Sequence, residues 1–323
     1  MPESPRWLVQ HNRVEEARVV LADLNDTDSD TNEINMAISE IQLSLELAGQ
    51  AKFRHLFTNG PLRLFQRTCL ACAAQCFQQM GGINALAFYQ TTIFTEDLGL
   101  AKTTARIVSA SVFTWQTICS PIGVLTVDRF GRRKLMLVSA FGMGMCMAIV
   151  AGTSTQSNNI AAIGAAAAFI FLFSLFFPTG FLGLTFLYAA EISPLSYRVP
   201  ITAMSTGTAW LFNFVVAEVT PVGLSTISHR YYIIFAAINW FLTLPAVYFF
   251  FPETNNRHLE EVDAIFLNSK SIFDTVATAA RMPRGQEARH IMEKADIHGA
   301  RLASAAEVEL AEGERAPAQA SEV

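Results

Sequence analysis

Charged side chains are scarce in this sequence. Only 16% of its 323 residues are Asp, Glu, Lys or Arg, whereas 51% are hydrophobic and 25 are Phe. Such a composition is typical of an integral membrane protein rather than a soluble domain with a large core. A basic excess is also lacking, because the formal net charge is −5. Nothing in the charge balance therefore indicates a nucleic-acid partner.

Cysteine and histidine are few, and their placement argues against metal or nucleophile chemistry. Three of the five cysteines share one helix face, but they lie in an apolar run without a nearby His or carboxylate, which favours buried thiols. All six histidines lie outside the apolar segments. The sequence thus predicts no enzyme, no cofactor and no metal site. The cysteines are Cys69, Cys72, Cys76, Cys119 and Cys146.

Long apolar runs are abundant, and six of them approach the roughly 20 residues that a helix needs to cross a bilayer. The sequence predicts an all-α membrane protein with three regions. Residues 1–66 form a polar, mostly helical cytosolic region, residues 67–251 form a six-span half-domain, and residues 252–323 form a cytosolic tail. The tail is rich in Ala, Glu and Arg beyond about residue 268, so we expect it to be largely disordered there. The first to sixth spans are placed at 67–95, 104–127, 134–153, 160–189, 201–224 and 231–251.

Basic residues in the short loops predict the orientation in the membrane. Arg63, Lys134 and Arg198 belong to one side, whereas the opposite side includes Lys102 and the uncharged loop 154–159. The more basic side is expected to face the cytosol. Six spans return the chain to the side on which it starts, so both termini are predicted to be cytosolic.

One polar stretch interrupts the apolar run of the first span. Gln78, Gln79 and Asn84 flank the pair Gly81–Gly82, which weakens a helix. A break there lets the carboxamides converge on one ligand, and irregular backbone inside a membrane is tolerated where it lines a cavity. Carboxamides both donate and accept hydrogen bonds, which suits an uncharged polyhydroxy ligand. The alternative is that they only join neighbouring helices.

Charged motifs lie at the predicted cytosolic ends of the spans. They occupy residues 2–8, 128–134, 191–198 and 252–257. Acidic and guanidinium groups at a membrane edge can pair between neighbouring helices and act together as a network. We expect a latch that holds one face of a transporter closed; the alternative is charge that only sets topology. Its predicted members are Glu3, Arg6, Asp128, Arg129, Arg132, Arg133, Glu191, Arg198, Glu253 and Arg257.

With these motifs the chain resembles the sugar porter family of the major facilitator superfamily, and fungal hexose and glycerol proton symporters in particular. The resemblance runs from Pro2 to about Asp263. It includes a Gln-Gln-x-x-Gly-Ile-Asn element at 78–84, an Asp-Arg-x-Gly-Arg-Arg loop at 128–133 and a Pro-Glu-Thr element at 252–254. Members of the family have twelve spans in two similar halves. The resemblance therefore implies that this chain is the carboxyl-terminal half and that the first six spans are missing.

The resemblance also assigns roles to single residues. It implies that Phe88 and Tyr89 gate the outer side, with Phe88 in place of a frequent Tyr. Gln116 stands where the family has an Asn, and Phe186 stands where the glucose facilitators have a Trp. These departures leave the substrate open. The implied substrate-binding residues are Gln78, Gln79, Asn84, Gln116, Phe186, Trp210 and Asn213.

The function implied by the resemblance is alternating-access, proton-coupled transport of a hexose-like sugar or a polyol across the plasma membrane. Symporter members couple transport to protons through their first span, which this chain lacks. Transport would then need the missing amino-terminal half or a full-length carrier as partner, with the lipid bilayer around both. Two alternatives remain: a sugar sensor or regulatory subunit that does not transport, and an inactive truncated product.

Overall fold

The structure is a computed structural model that describes residues 3–28, 31–49, 53–58, 60, 62–156 and 159–283. Every regular element within these residues is a helix. The predicted all-α class is therefore confirmed.

Three short helices precede the apolar part of the chain. Ser4 caps the first of them, because its Oγ accepts a hydrogen bond from the backbone N of Trp7 at 3.2 Å. Leu8, Val9 and Ala17 form a small separate core, against which α3 packs through Ile41 and Leu45. The helices are α1 (Pro5–Gln10), α2 (Val14–Asn25) and α3 (Asn32–Gly49), and a 3₁₀ turn, Phe53–Phe57, follows them.

The first span is a helix in two parts. Helix α4 (Leu64–Gln78) leads into a π-helical turn, Gln79–Ile83, and α5 (Asn84–Thr92) continues to a second π-helical turn, Ile93–Asp97. Gly82 lies outside the helical region of backbone space, with φ 103°. The predicted break is therefore present.

Five further helices among the described residues are long and apolar enough to cross a membrane. They coincide with the second to sixth predicted spans and extend a few residues beyond most of the expected ends. The first span is not among them, because its Gln, Asn and Arg side chains lower its mean hydropathy. That the first span crosses the membrane therefore stays a prediction. The second span is α6 (Lys102–Phe130), the third is α7 (Arg132–Thr153) and the fifth is α10 (Arg198–Ile227). The fourth span consists of α8 (Ile160–Phe177), a π-helical turn (Pro178–Leu182) and α9 (Leu184–Glu191). The sixth consists of α11 (Arg230–Ala237), a π-helical turn (Ile238–Thr243) and α12 (Leu244–Phe250).

The third span, α7, lies at the centre of the bundle. It packs against the fourth and sixth spans, while α4 of the first span packs against α9 and α10. Glycines permit two of these contacts: a Cβ on Gly142 would lie 2.5 Å from the Phe176 ring, and one on Gly144 would lie 2.5 Å from Trp240 Nε1. Small residues allow helices to approach this closely.

Two helices follow the sixth span, α13 (Leu259–Asn268) and α14 (Asp274–Arg281). They fold back onto the start of the first span, where Gln66 Nε2 donates to Thr275 Oγ1 at 3.0 Å. The expectation of disorder beyond about residue 268 therefore does not describe α14.

Arg257 donates hydrogen bonds to the carbonyls of Ala279 and Met282 at the end of that helix, and these are acceptors that have no partner within the helix. Residues 284–323, on which the rest of that prediction falls, lie outside the described residues.

Candidate functional site

The break in the first span occurs at a glycine that has little room for a side chain. A Cβ on Gly82 would lie 2.5 Å from Met147 Cε and 3.1 Å from Phe235 Cγ, and its positive φ disfavours any other residue. The third and sixth spans thus press against the break from one side. Glycine is required at this point for both reasons.

Three carboxamides meet on the other flank of the break. Gln79 Oε1 accepts a hydrogen bond from Asn84 Nδ2 at 2.5 Å and a longer one from Asn213 Nδ2 at 3.5 Å. Gln79 and Asn84 are buried, and Asn213, on the fifth span, is half-buried. We call Gln79, Asn84 and Asn213 the carboxamide cluster. The structure brings together these three of the seven substrate-binding residues that the sequence proposed.

Gln78 points elsewhere. Its Nε2 donates to the carbonyl of Leu182 at 3.1 Å, and its Oε1 accepts from Thr185 Oγ1 at 3.2 Å. Both partners belong to the fourth span. Gln78 therefore joins two helices in this structure, which is the alternative that its residue type left open.

The remaining proposed binding residues lie away from the cluster. Gln116 is half-buried on the second span, and Phe186 on the fourth span is exposed. Trp210, on the fifth span, is 70% exposed. None of the three makes a hydrogen bond to the carboxamide cluster among the described residues.

The two proposed gating residues behave differently from each other. Phe88 is exposed, whereas the hydroxyl of Tyr89 donates to the carbonyl of Ala217 at 2.9 Å. Pro221 lies four residues after Ala217 in α10 and has no backbone N–H, so that carbonyl lacks its usual helical partner. Tyr89 supplies the missing donor and links the carboxyl-terminal half of the first span to the fifth.

A compact charge cluster lies where the second, third, fourth and sixth spans end. Arg132 donates from Nη2 to Glu191 Oε1 at 2.7 Å and from Nε to both Glu191 oxygens at 3.0 and 3.1 Å. Its Nη1 reaches Asp128 Oδ1 at 3.0 Å and Asn255 Oδ1 at 2.8 Å. Because the side chains of Arg132 and Glu191 are only 9% and 21% exposed, the bonds of this pair lie largely out of water, whereas Asp128 is 77% exposed.

Glu253 anchors the same cluster through the backbone. Its Oε1 accepts from the backbone N of Arg132 at 2.8 Å and its Oε2 from the backbone N of Arg133 at 3.2 Å. These amides are the first of α7, where a carboxylate satisfies open donors and meets the positive end of the helix dipole. Thr254 adds a bond from its Oγ1 to Glu191 Oε2 at 2.6 Å.

Five residues expected in the latch lie outside the charge cluster in this structure, and their part in a latch stays a prediction. Arg257 binds the end of α14, and Arg198 is half-buried at the start of α10. The Arg133 guanidinium, although its backbone joins the cluster, donates to the carbonyl of Tyr248 at 2.6 Å. Glu3, Arg6 and Arg129 are exposed. The sequence could not show which guanidinium reaches which acceptor. The five residues outside the cluster are Glu3, Arg6, Arg129, Arg198 and Arg257.

Sequence reasoning missed two polar contributors, Asn255 and Asn239. Asn255 follows directly after the Pro-Glu-Thr element and bonds both Arg132 and the carbonyl of Asp128. Asn239 lies in the sixth span and donates to the carbonyl of Gly81 at 3.0 Å. A carboxamide inside an apolar run was the signal that identified Gln78, and the same signal was present at Asn239.

Comparison with known proteins decides the family. The profile described as "Sugar (and other) transporter" matches residues 1–266. The chain belongs to this family. Its curated relatives include MFS-type transporter oryC of Aspergillus oryzae, 35% identical over 85% of this chain and 52% of that protein. Sugar transporter STL1 of Saccharomyces cerevisiae is 35% identical over 82% of this chain and 47% of that protein.

Solved structures agree with the family. The proton:xylose symporter XylE bound to 6-bromo-6-deoxy-D-glucose aligns with a TM-score of 0.62 and 25% sequence identity, over 82% of this chain and 55% of that one. The family resemblance is therefore confirmed, and these relatives are transporters rather than enzymes. The chain spans about half the length of the curated relatives it matches.

Proposed function

We propose that this chain is the carboxyl-terminal half of an alternating-access carrier for a sugar or polyol and that it performs no covalent chemistry. The carboxamide cluster beside the break at Gly82 is the observation that carries the proposal. It places polar donors and acceptors at a broken helix within an apolar bundle, which is how carriers of this architecture build substrate sites.

The chemistry of the cluster favours an uncharged, hydroxyl-rich ligand. Gln79 Oε1 already accepts from Asn84, so an entering hydroxyl can replace one carboxamide contact by two of its own, one donated and one accepted. No charged side chain hydrogen-bonds to Gln79, Asn84 or Asn213 among the described residues. A charged ligand would therefore be buried there without a partner, which is costly.

The remaining assignments follow from the charge distribution and from the exposed faces. We assign both termini to the cytosol of a plasma-membrane carrier, and the charge cluster around Arg132 to a latch on that side. Trp210 and Phe186 face the space that an amino-terminal half would fill. In this proposal the complete carrier is a proton symporter whose coupling group lies on the half that this chain lacks.

The test restores that half. The full 323-residue chain is fused behind the first six spans of STL1 and expressed in cells that lack sugar transporters. We expect uptake from the fusion and none from the chain alone, because one of the two bodies that rock against each other is absent. A fusion that binds sugar but does not transport it would instead favour a sensor.

The site itself is tested by substitution in the fusion. Gln79→Ala or Asn84→Ala leaves a buried hydroxyl or carboxamide unpaired at a cost of about 1–3 kcal/mol, so the dissociation constant should rise roughly tenfold or more. Gln156→Ala, a carboxamide in an exposed loop, is the matched control and should bind like the parent. If both site variants bind every hexose and polyol tested as the parent does, the cluster only joins helices.

A further inference from the structure

Asn239 is a fully buried carboxamide that belongs neither to the carboxamide cluster nor to the charge cluster. It lies in the π-helical turn Ile238–Thr243 of the sixth span and has 0% of its surface exposed. Its Nδ2 donates to the carbonyl of Phe235 at 2.9 Å, within its own span, and to the carbonyl of Gly81 at 3.0 Å, in the first span. One amide group therefore links two spans.

The bond to Gly81 falls at the break itself. Gly82, the next residue, has φ 103°, which turns its peptide planes out of the helical direction. Carbonyls beside such a break need partners outside the helix, because a buried carbonyl without a hydrogen bond is costly. Asn239 supplies that partner for Gly81.

The turn that carries Asn239 is itself held in place. The next residue, Trp240, donates from Nε1 to the carbonyl of Phe141 on the third span at 3.2 Å. Gly144 allows the indole to approach, since a Cβ there would lie 2.5 Å from Nε1. On the other side, a Cβ on Gly81 would lie 3.5 Å from Asn239 Oδ1. The Asn239 side chain is thus confined between the third and first spans.

We propose that Asn239 is a positioning residue that fixes the break of the first span and thereby sets ligand affinity without touching the ligand. Gln79 lies just before the break and Asn84 just after it, so the geometry at Gly81 and Gly82 determines whether their side chains meet. This inference rests on the function proposed above, because affinity has meaning only if the cluster binds a ligand.

A first experiment tests the local role without any ligand. Hydrogen–deuterium exchange is measured on the full chain in lipid nanodiscs for Asn239→Leu and Asn239→Ala, both of which remove the amide donor. We expect faster exchange in residues 83–92 and unchanged exchange in α6. Thr243→Val is the matched control, because Thr243 is equally buried in the same turn and its hydroxyl has no hydrogen-bond partner within the described part of the chain.

Two outcomes would overturn the local role. Exchange in residues 83–92 that equals the parent in both donor-free variants would mean that Asn239 does not hold the break. Faster exchange along the whole chain would mean that it supports the fold in general.

A second experiment tests the consequence for binding in the fusion with an amino-terminal half. The dissociation constant of Asn239→Leu should rise roughly tenfold, while uptake at saturating sugar stays within about twofold of the parent, because an altered ground-state site mainly changes affinity. Thr243→Val should bind like the parent. If Gln79→Ala weakens binding and Asn239→Leu does not, the positioning role is wrong. If Gln79→Ala also has no effect, the proposed substrate site fails instead, and the exchange result stands separately.

Discussion

Arg132, at the start of the third span, holds both carboxylate oxygens of Glu191, at the end of the fourth span, with donor–acceptor distances from 2.7 to 3.1 Å. A guanidinium offers parallel donors in one plane, which matches the two oxygens of a carboxylate. This pair joins two helix ends that are distant in sequence. Any motion that separates those ends must break it.

We expect Arg132→Ala and Glu191→Gln to change turnover rather than sugar contacts, because neither residue forms part of the carboxamide cluster. In the fusion with an amino-terminal half, uptake rate should fall while equilibrium binding stays close to the parent. Arg129→Ala is the matched control, since Arg129 is exposed in the same loop and stacks near Phe130, with its guanidinium carbon 5.9 Å from the ring centroid. Equal effects of Arg132→Ala and Arg129→Ala on uptake would contradict the latch.

The same loop contains a glycine whose replacement should destabilise the protein. Gly131 has φ 91°, and a Cβ there would lie 2.6 Å from Glu253 Oε2. Gly131→Ala should therefore cost about 1–3 kcal/mol through backbone strain and through displacement of the carboxylate from the start of α7. Thermal unfolding in detergent, followed by the loss of monodisperse protein, measures the effect.

The control for this substitution is Gly164→Ala in α8. A Cβ on Gly164 meets nothing within 4 Å, and alanine is the better helix former by about 0.5–1 kcal/mol. Gly164→Ala should therefore match or exceed the parent in thermal stability. A Gly131→Ala protein as stable as Gly164→Ala would show that Glu253 does not need its present position.

Orientation can be tested by thiol labelling in a cysteine-free background. Gln156→Cys lies in the uncharged loop between the third and fourth spans and should react with a membrane-impermeant reagent on intact cells. Lys270→Cys, between α13 and α14, should react only after permeabilisation. Both positions are exposed, so accessibility within the fold does not separate them. The reverse pattern would place the charge cluster outside the cell.

The break was predictable from sequence because its cause is local. A glycine pair within an apolar run weakens a helix wherever it occurs, and here Gly82 adopts a positive φ. The pairing of Gln79 with Asn84 follows from that break and their spacing. The direction of Gln78 was not predictable, since it depends on the carbonyl of Leu182, which the fourth span brings near only after folding.

In the charge cluster, too, some contacts were predictable from sequence and others depend on tertiary packing. Asp128 and Arg132 are four residues apart in one loop, so their pairing at 3.0 Å needs little tertiary information. Arg257 lies only four residues after Glu253 in the chain, yet its guanidinium turns to the carbonyls that end α14. The acceptor that a long side chain reaches depends on which carbonyls at helix ends lie nearby without a partner after packing. Sequence patterns do not contain that information.

The backbone at Gly82 is placed to act as a hinge for the carboxyl-terminal part of the first span. Helix α5 continues for ten residues beyond Gly82 to Thr92, a lever of about 15 Å at the rise of an α-helix. A rotation of about 10° at this single residue would move the far end by about 2.5 Å, enough to break a hydrogen bond. Tyr89 lies seven residues beyond Gly82, where the same rotation displaces the chain by about 1.8 Å. Torsion at this one glycine would therefore strain the bond from the Tyr89 hydroxyl to the carbonyl of Ala217.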